Sequence, residues 1–459
     1  MDGYRPRLRA SYEVRRTTIE LDETEAEENG GGILDRLNKR VFAVASKQLL
    51  ARPNWVSVSE VFRQNRSDWS IIKALVQSPD DPKFELYARR LQRLRKIREY
   101  PYVMQVLDRE LSYEEVAEIF VRVNSLGAKL RGSDLALAQI TAKWQNSLHL
   151  LEEFVERCED ESWFTLDLGL LVRAIVVFAT NQSRFKTVGN IPLARLQTSW
   201  DQAKLGLEFA INFLRTNADI EDESLLSSPA LMIPIAVYGS HRSFVIAPED
   251  ERYMLRWLYV ANARGHYSGS SETTLDADLA ILSRAKTFEA MLSPLRQRFG
   301  RLHVEASDFR GRGERSALFA LAYLALKHAG AKDWKTGLGL SLTHQGHIHY
   351  VQYHHIFPKS ILQLAGYEKS EINEIANMAF ISGRANRNIS NKHPIDYLPT
   401  IIRDRGEKAL VSQGIALDRA LWEVGRYRDF LEARRQTLAE AVNRFIDAAA
   451  EQGRVVSAP

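Results

Sequence analysis

A single cysteine, Cys158, occurs among the 459 residues of the chain. A disulfide within the chain is therefore excluded, and so are the four-cysteine zinc sites that brace many small domains. No apolar run approaches the ~18 residues that span a membrane. The charged N-terminus MDGYRPRLRASYEVRR also lacks the apolar stretch of a secretory signal. The sequence therefore predicts a cytoplasmic protein that has no membrane partner.

An excess of one charge and an excess of loop-forming residues are also missing. The 62 lysines and arginines nearly balance the 58 aspartates and glutamates, which leaves a net charge of +4. This balance permits a nucleic-acid partner without indicating one, because such binding depends on clustered charge. The 25 glycines and 14 prolines lie below the usual shares of about 7% and about 5%, which argues against extensive disorder.

Hydrophobic periodicity predicts a mainly α fold with small β elements, that is, an α+β arrangement. The segments EVRRTTIEL and RVFAVAS are predicted strands, whereas YARRLQRLRKIREY fits a helix whose basic face is solvated. Apolar helical patterns such as LGLLVRAIVVFA and PALMIPIAVYG predict a helical bundle in the middle of the chain. A long helix is expected from Trp422 to Gln452. We divide the chain into an N-terminal region (1–135), the bundle (136–300) and a C-terminal domain (301–459).

Five of the eleven histidines fall between His344 and His355, and the last two are adjacent in the stretch YHHIFPKS. Histidine titrates near neutral pH and is the commonest metal ligand. A lone histidine on a strand is usually just packed and hydrogen-bonded, so the pair by itself decides little. We interpret His344, His347 and His349 as solvent-facing residues of an alternating strand.

Two asparagines follow the histidine pair in a regular context. Asn377 opens the apolar run NMAFIS, a predicted strand, and Asn386 comes after a turn at Gly383 where a short helix is expected to start. This order of strand, histidine pair, asparagine, strand, turn, helix and asparagine matches a ββα-metal nuclease. Such a site holds one divalent ion against a scissile phosphate.

The residue types suit phosphodiester hydrolysis. A neutral histidine can take a proton from the attacking water. A divalent ion can polarise the phosphoryl oxygens and stabilise the leaving alkoxide. A buried asparagine can hold the backbone beside the histidine in place. The histidine pair, the following Ile-Phe-Pro and the two asparagines together favour this site over a purely structural role.

These residues resemble the HNH nuclease motif, and NMAFISGRANRNISNKHP is similar to the second half of HNH domains in RNA-guided and restriction nucleases. The resemblance implies that His355 is the general base and that Asn377 orients it. It also implies that His354 and Asn386 are ligands of a magnesium or manganese ion. His354 stands where many HNH enzymes have aspartate, which shifts the preference towards manganese, nickel or zinc.

Four basic residues near the motif are candidates for DNA phosphate contacts. Lys359 and Lys392 qualify by charge and position, and Arg310 and Arg312 lie in the basic loop FRGRG upstream of the histidine pair.

Two further stretches, EIFVRVNSLGAKLRGSDLALAQI and ARGHYSGSSETTLDADL, resemble segments of the GmrSD-type restriction endonucleases. That family joins an N-terminal ParB/sulfiredoxin-like domain to a C-terminal HNH domain. Its members cleave modified phage DNA, with nucleotide hydrolysis linked to the N-terminal domain. The resemblance implies a metal-dependent DNA endonuclease of phage defence, with ParB-like residues in 1–135 and the HNH domain in 301–459.

The N-terminus departs from the family pattern. The family motif Asp-Gly-Gln-Gln-Arg is matched only by Asp2 and Gly3, and the strands that normally precede it are missing. We therefore expect a truncated N-terminal domain and no nucleotide hydrolysis, with Asp2 and Arg5 as the remaining nucleotide-binding candidates.

Other functions remain open at this point. The chain could instead be a DNA-sensing or regulatory module whose nuclease is inactive or unregulated, because the N-terminal domain is incomplete. RNA is a further candidate substrate, since an HNH site acts on the phosphate. One HNH site cuts one strand, so double-strand cleavage requires a second copy, a companion chain or two successive events.

Overall fold

The computed structural model describes residues 17–20, 42–44, 55–63, 67–76, 78, 80–101, 106, 108, 111, 119, 131–162, 164–269, 271–342 and 351–451. Asp2, Arg5 and the three histidines at 344, 347 and 349 lie outside these ranges, as does most of the stretch EIFVRVNSLGAKL. Helices dominate the described residues and strands are short, which confirms the predicted mainly α fold with small β elements.

The strands pair antiparallel in two small sheets within the described ranges. The first sheet has the order β2-β1-β3 and the second pairs β4 with β5. Their bounds are β1 Thr17–Glu20, β2 Phe42–Val44, β3 Trp55–Ser57, β4 Val351–His355 and β5 Met378–Ser382. β1 and β2 lie in EVRRTTIEL and RVFAVAS, so both predicted strands are confirmed.

The α-helices run through the rest of the described chain. They are α1 Val58–Val61, α2 Asp68–Ile72, α3 Pro82–Lys96, α4 Gly132–Lys143, α5 Ser147–Ser162, α6 Leu168–Thr180, α7 Leu193–Thr216, α8 Met232–His241, α9 Pro248–Ala263, α10 Ser271–Leu282, α11 Leu292–Phe299, α12 Ala317–His328, α13 Lys359–Leu364, α14 Lys369–Ile372, α15 Gly383–Ile389, α16 Pro394–Arg405, α17 Lys408–Val411 and α18 Tyr427–Glu451. Short 3-10 helices cover Ile97–Glu99, Phe185–Asn190, Glu223–Leu225, Pro229–Leu231, Phe288–Met291, Ala306–Phe309, Ile375–Asn377, Arg419–Trp422 and Val424–Arg426.

Helix α3 carries the basic stretch near the N-terminus. Asp81 caps it by accepting a hydrogen bond from the Lys83 N–H at 2.9 Å. Tyr87, Leu91 and Leu94 lie at helical spacing and are buried in a small cluster with residues of α1 and α2. The apolar face therefore holds α3 in place, while Arg89 and Arg93 are exposed and Arg95 pairs with Asp68 of α2 at 2.6 Å.

The middle of the chain forms the predicted helical bundle, in which α7 packs against both α6 and α8. The α7–α8 approach depends on Gly239, because a Cβ there would lie 2.5 Å from the ring of Phe209. Apolar residues of α6, such as Val172, Ile175 and Val176, are buried beneath this pair. Among the described residues, no helix is both long and apolar enough to cross a membrane.

The final helix, α18, begins five residues later than the sequence predicts. Glu423 has an extended backbone, so the chain from Arg419 forms short 3-10 turns before the helix starts at Tyr427. α18 packs against α9 of the bundle and against α12, which joins the two regions. One continuous cluster of buried side chains extends from Ala136 to Ile446. The boundary after residue 300 therefore does not coincide with a break in the core.

Candidate functional site

The β4–β5 hairpin brings the histidine pair next to the first asparagine. The antiparallel register pairs His354 with Ala379 and His355 with Met378. Asn377 directly precedes β5, so it lies at the end of the hairpin where β4 finishes. The predicted strand NMAFIS is confirmed, because β5 covers Met378–Ser382.

Helix α15 returns the chain onto β4 immediately after β5. Ser382 caps α15 by accepting a hydrogen bond from the Ala385 N–H at 3.2 Å. This turn directs Asn386 towards the strand, where its Oδ1 lies 2.8 Å from Nδ1 of His354. The Asn386 amide also donates to Oε1 of Gln352 at 3.1 Å. The structure therefore brings together the two predicted metal ligands.

The hydrogen bond between Asn386 and Gln352 shows which nitrogen of the His354 ring carries the hydrogen. Because the Asn386 NH₂ group is used by Gln352, its oxygen accepts from His354, and Nδ1 of His354 carries the hydrogen. Nε2 of His354 is then the nitrogen with the lone pair. It is buried and has no hydrogen-bond partner among the described residues.

His354 is 3% exposed and lies edge-on to the rings of Trp334 and Tyr397, with centroid distances of 6.2 and 5.9 Å. Burial lowers the pKa of His354 to about 4, and the hydrogen bond that His354 donates to Asn386 opposes this only in part. The ring is therefore neutral at pH 7, as a metal-ligating imidazole must be.

One nitrogen of His354, the unpartnered Nε2, can ligate a divalent ion. Oδ1 of Asn386 instead accepts the Nδ1 hydrogen on the other side of the ring, so in this arrangement it does not share an ion with Nε2. No group of three histidine, cysteine, aspartate or glutamate side chains gathers here, or elsewhere in the described ranges, in a way that could hold an ion. An ion would take its other ligands from water and phosphate oxygens, as magnesium commonly does. By accepting the Nδ1 hydrogen, Asn386 also fixes the orientation of the His354 ring.

His355 is 4% exposed, and neither of its ring nitrogens has a hydrogen-bond partner among the described residues. Burial lowers the pKa of His355 well below its usual value, and the Lys359 ammonium and the His354 ring lower it further. The nearby Asn373 side chain opposes this without reaching hydrogen-bonding geometry. Buried polar atoms are almost always satisfied, so two unsatisfied nitrogens on one neutral imidazole mark a place for a missing polar partner.

Asn377 is fully buried and fixes the chain that follows His355. Its Oδ1 accepts from the Phe357 N–H at 2.9 Å, and its Nδ2 donates to the carbonyls of Phe357 and Ile372, each at 3.0 Å. Its backbone carbonyl accepts from the Ile356 N–H at 2.8 Å. These contacts hold the backbone beside His355, in the way expected of an orienting residue.

The four predicted DNA contacts differ in their surroundings. Lys359 is half-buried beside His355, and Lys392 is exposed with its ammonium 3.3 Å from the carbonyl of Asn388. Arg310 is exposed and pairs with Glu432 at 3.3 Å. Arg312 is exposed and pairs with no acidic side chain within the described ranges.

Sequence reasoning missed several residues that complete the site. Tyr397 of α16 donates its hydroxyl to the carbonyl of Ile356 at 2.9 Å and packs against the His354 ring. Asp333 accepts from the Ser382 N–H at 2.6 Å, at the turn between β5 and α15. Burial raises the pKa of Asp333, but hydrogen bonds from Ser382 and its other neighbours outweigh this and lower it overall. These residues follow no local pattern that would have singled them out.

Arg434 of α18 is a third missed residue. It is 2% exposed and donates to the carbonyl of Met378, the register partner of His355, at 2.6 Å. Its Nε and Nη1 have no partners in the described part of the chain. Burial lowers the pKa of Arg434 to about 9, although Tyr397 favours the charged form.

Compared with models of known protein families and with curated proteins, the chain matches none. The likeness to HNH and GmrSD-type nucleases therefore rests on the sequence motifs alone.

Proposed function

We propose that the chain is a metal-dependent endonuclease that hydrolyses DNA phosphodiester bonds at an HNH-type ββα site, in defence against modified phage DNA. One observation carries the proposal: the unpartnered His355 imidazole lies next to the bonded pair of His354 and Asn386 on one hairpin and its following helix. Asn377 fixes the backbone that follows His355, as the orienting residue of such a site would.

His355 acts as the general base in this proposal. Its neutral ring accepts a proton from water as the water oxygen attacks phosphorus and the P–O bond to the leaving oxygen breaks. The imidazolium then releases that proton to solvent, from which the leaving alkoxide takes one up. The Lys359 ammonium lies near this ring and would interact with the phosphate charge. Because the pKa of His355 is so low, the base stays neutral throughout the physiological pH range.

The chemistry also assigns roles to the other side of the hairpin. Nε2 of His354 would hold a magnesium or manganese ion, with Asn386 orienting the ring from Nδ1, and the ion would supply charge neutralisation at the phosphate and at the leaving oxygen when bound. Trp334 and Tyr397 pack against the His354 ring and restrict its rotation. The hydrogen bond from His354 to Asn386 keeps Nε2 as the free lone pair.

The test is plasmid nicking by the full chain with manganese or magnesium, beside the His355→Ala variant and a reaction containing EDTA. Removal of a general base should lower the nicking rate by about 10²–10⁴-fold. His149→Ala is the matched control, because His149 lies on α5 with a 60% exposed side chain and should leave nicking unchanged. Equal rates for His355→Ala and the wild type would refute the assignment.

A DNA-sensing or regulatory module with an inactive nuclease is the second candidate. Burial of both histidines favours it, as does the lack of a carboxylate bonded to either ring among the described residues. A sensor of this kind should bind a DNA duplex equally well with and without divalent ions, and should not nick it. Metal-dependent nicking that His355→Ala abolishes would exclude this candidate.

A further inference from the structure

The loop Arg310–Arg315, here called the arginine loop, connects the 3-10 helix Ala306–Phe309 to α12. Its three arginines are all exposed. Arg310 is neutralised by Glu432 of α18 at 3.3 Å. Arg312 and Arg315 form no ion pair with an acidic side chain in the part of the chain that the structure describes. The loop therefore presents two cations whose charge is not cancelled.

The arginine loop is fastened to residues 373–375, just before Asn377. The Gly311 N–H donates to Oε2 of Glu374 at 2.9 Å. The Ile375 N–H donates to the carbonyl of Arg312 at 2.7 Å. Gly313 lies against the Asn373 carbonyl so closely that a Cβ on Gly313 would be 2.7 Å from that oxygen. These contacts fix the loop by its backbone and leave its long side chains free to bind.

Glu374 is the centre of this connection. It is 1% exposed, and its carboxylate receives two hydrogen bonds from Arg435 of α18, at 2.6 and 2.9 Å. Its backbone carbonyl accepts from the Asn377 N–H at 2.8 Å. A buried carboxylate is retained only when it is paired and hydrogen-bonded. Here the charge of Arg435 and the N–H of Gly311 together satisfy it.

We propose that Glu374 is a positioning residue that fixes the arginine loop beside the site, so that Arg312 and Arg315 hold nucleic-acid phosphates next to His355. The connection runs from the loop through Glu374 to Asn377, and from Asn377 to the backbone after His355. Asn373, which Gly313 touches, also faces the His355 ring. This inference rests on the proposed function, since it assigns the surface that presents the phosphodiester to the base.

The expected effect is a change in the salt dependence of DNA binding. Each phosphate contact contributes about 0.9 to the slope of log affinity against log salt. Loss of two contacts should make the slope shallower by about 1.8. Between about 50 and 200 mM salt, the wild type should then lose roughly tenfold more affinity than a variant with a displaced loop.

Two variants displace the loop by different routes. Gly313→Ala forces the loop away from the Asn373 carbonyl without touching the buried ion pair. Glu374→Ala combined with Arg435→Ala removes the acceptor of Gly311 and leaves neither partner of the pair as an isolated buried charge. The matched controls are Gly425→Ala, where a Cβ would meet nothing within 4 Å, and Arg184→Ala, an exposed arginine of the bundle that is paired with Asp276 at 2.9 Å.

The assay is the anisotropy of a fluorescein-labelled DNA duplex titrated with the full chain in EDTA, so that binding is read without cleavage. We expect both loop variants, and Arg312→Ala with Arg315→Ala, to share the shallower slope, while both controls keep the wild-type slope. Wild-type slopes in Gly313→Ala and in the Glu374/Arg435 variant would overturn the inference.

The outcomes separate the inference from the proposed function. A wild type that binds with the steep slope but never nicks DNA with manganese contradicts the nuclease assignment, while the slopes of the variants still decide the role of Glu374. A wild type that does not bind the duplex at all overturns both.

Discussion

Replacing Asn377 with alanine tests most directly how the site is built. The side chain makes three buried hydrogen bonds, one from the Phe357 N–H and two to the carbonyls of Phe357 and Ile372. Alanine satisfies none of them, so one N–H and two carbonyls lose their partners in a region closed to water. The small side chain fits the space, so packing strain adds little.

The cost follows from those three groups. A buried polar group left without its partner costs about 1–3 kcal/mol, so three such groups cost about 3–9 kcal/mol, and we expect about 4 kcal/mol after local relaxation. That is a large share of the stability of an ordinary domain, which is about 5–15 kcal/mol. The released backbone next to His355 should also slow nicking by about 10²-fold, because a displacement of about 1 Å at a catalytic group has that effect.

Urea denaturation followed by circular dichroism measures the stability change, and plasmid nicking at a temperature where the variant is folded measures the activity. Asn388→Ala is the matched control, because Asn388 lies exposed on α15, and its substitution should change stability by less than about 0.5 kcal/mol. A loss of less than about 1 kcal/mol for Asn377→Ala would refute the view that this side chain fixes the turn after His355.

The remaining predictions concern buried charge. The pKa of His354 is about 4 in the folded chain and about 6.5 in the unfolded chain. Below pH 6.5 the unfolded chain therefore binds a proton that the folded chain does not, and the free energy of unfolding falls by about 3 kcal/mol as the pH falls from 6.5 to 4. Between pH 7 and pH 4, urea titrations should therefore show a loss of unfolding free energy that is about 3 kcal/mol smaller for His354→Gln than for the wild type. A stability difference between the two proteins that stays the same at pH 7 and pH 4 would contradict this. Arg434→Met should change stability by less than about 1 kcal/mol because it removes a largely unpaired buried charge, whereas Arg435→Met should cost about 3–5 kcal/mol because it leaves Glu374 buried alone. Equal losses for the two neighbouring arginines, in the same urea titrations, would contradict that account.

Local patterns in the sequence were sufficient to locate the hairpin and its helix. The apolar run NMAFIS predicts β5, and the polar turn after it predicts a helix start, which α15 confirms at Gly383. The same holds for β1, β2 and the bundle helices, because alternation and the 3.6-residue period are properties of neighbouring residues. The start of α18 was predicted wrongly, because apolar residues continue the helical pattern there but Glu423 is extended.

The sequence by itself singled out four residues of the candidate site, since His354, His355, Asn377 and Asn386 are recognised by type and order. Only the tertiary structure decided the protonation states of the two histidines. Burial made both imidazoles neutral, and the bond to Asn386 chose the nitrogen of His354 that carries the hydrogen.

The partners of these residues were equally beyond the sequence. Glu432 neutralises Arg310 from 122 positions away, and Arg435 reaches Glu374 across 61 positions. A local sequence pattern depends only on residues that are close together along the chain. Which charges meet, and which are left for a ligand, depends on how distant elements such as α18 and the arginine loop pack together.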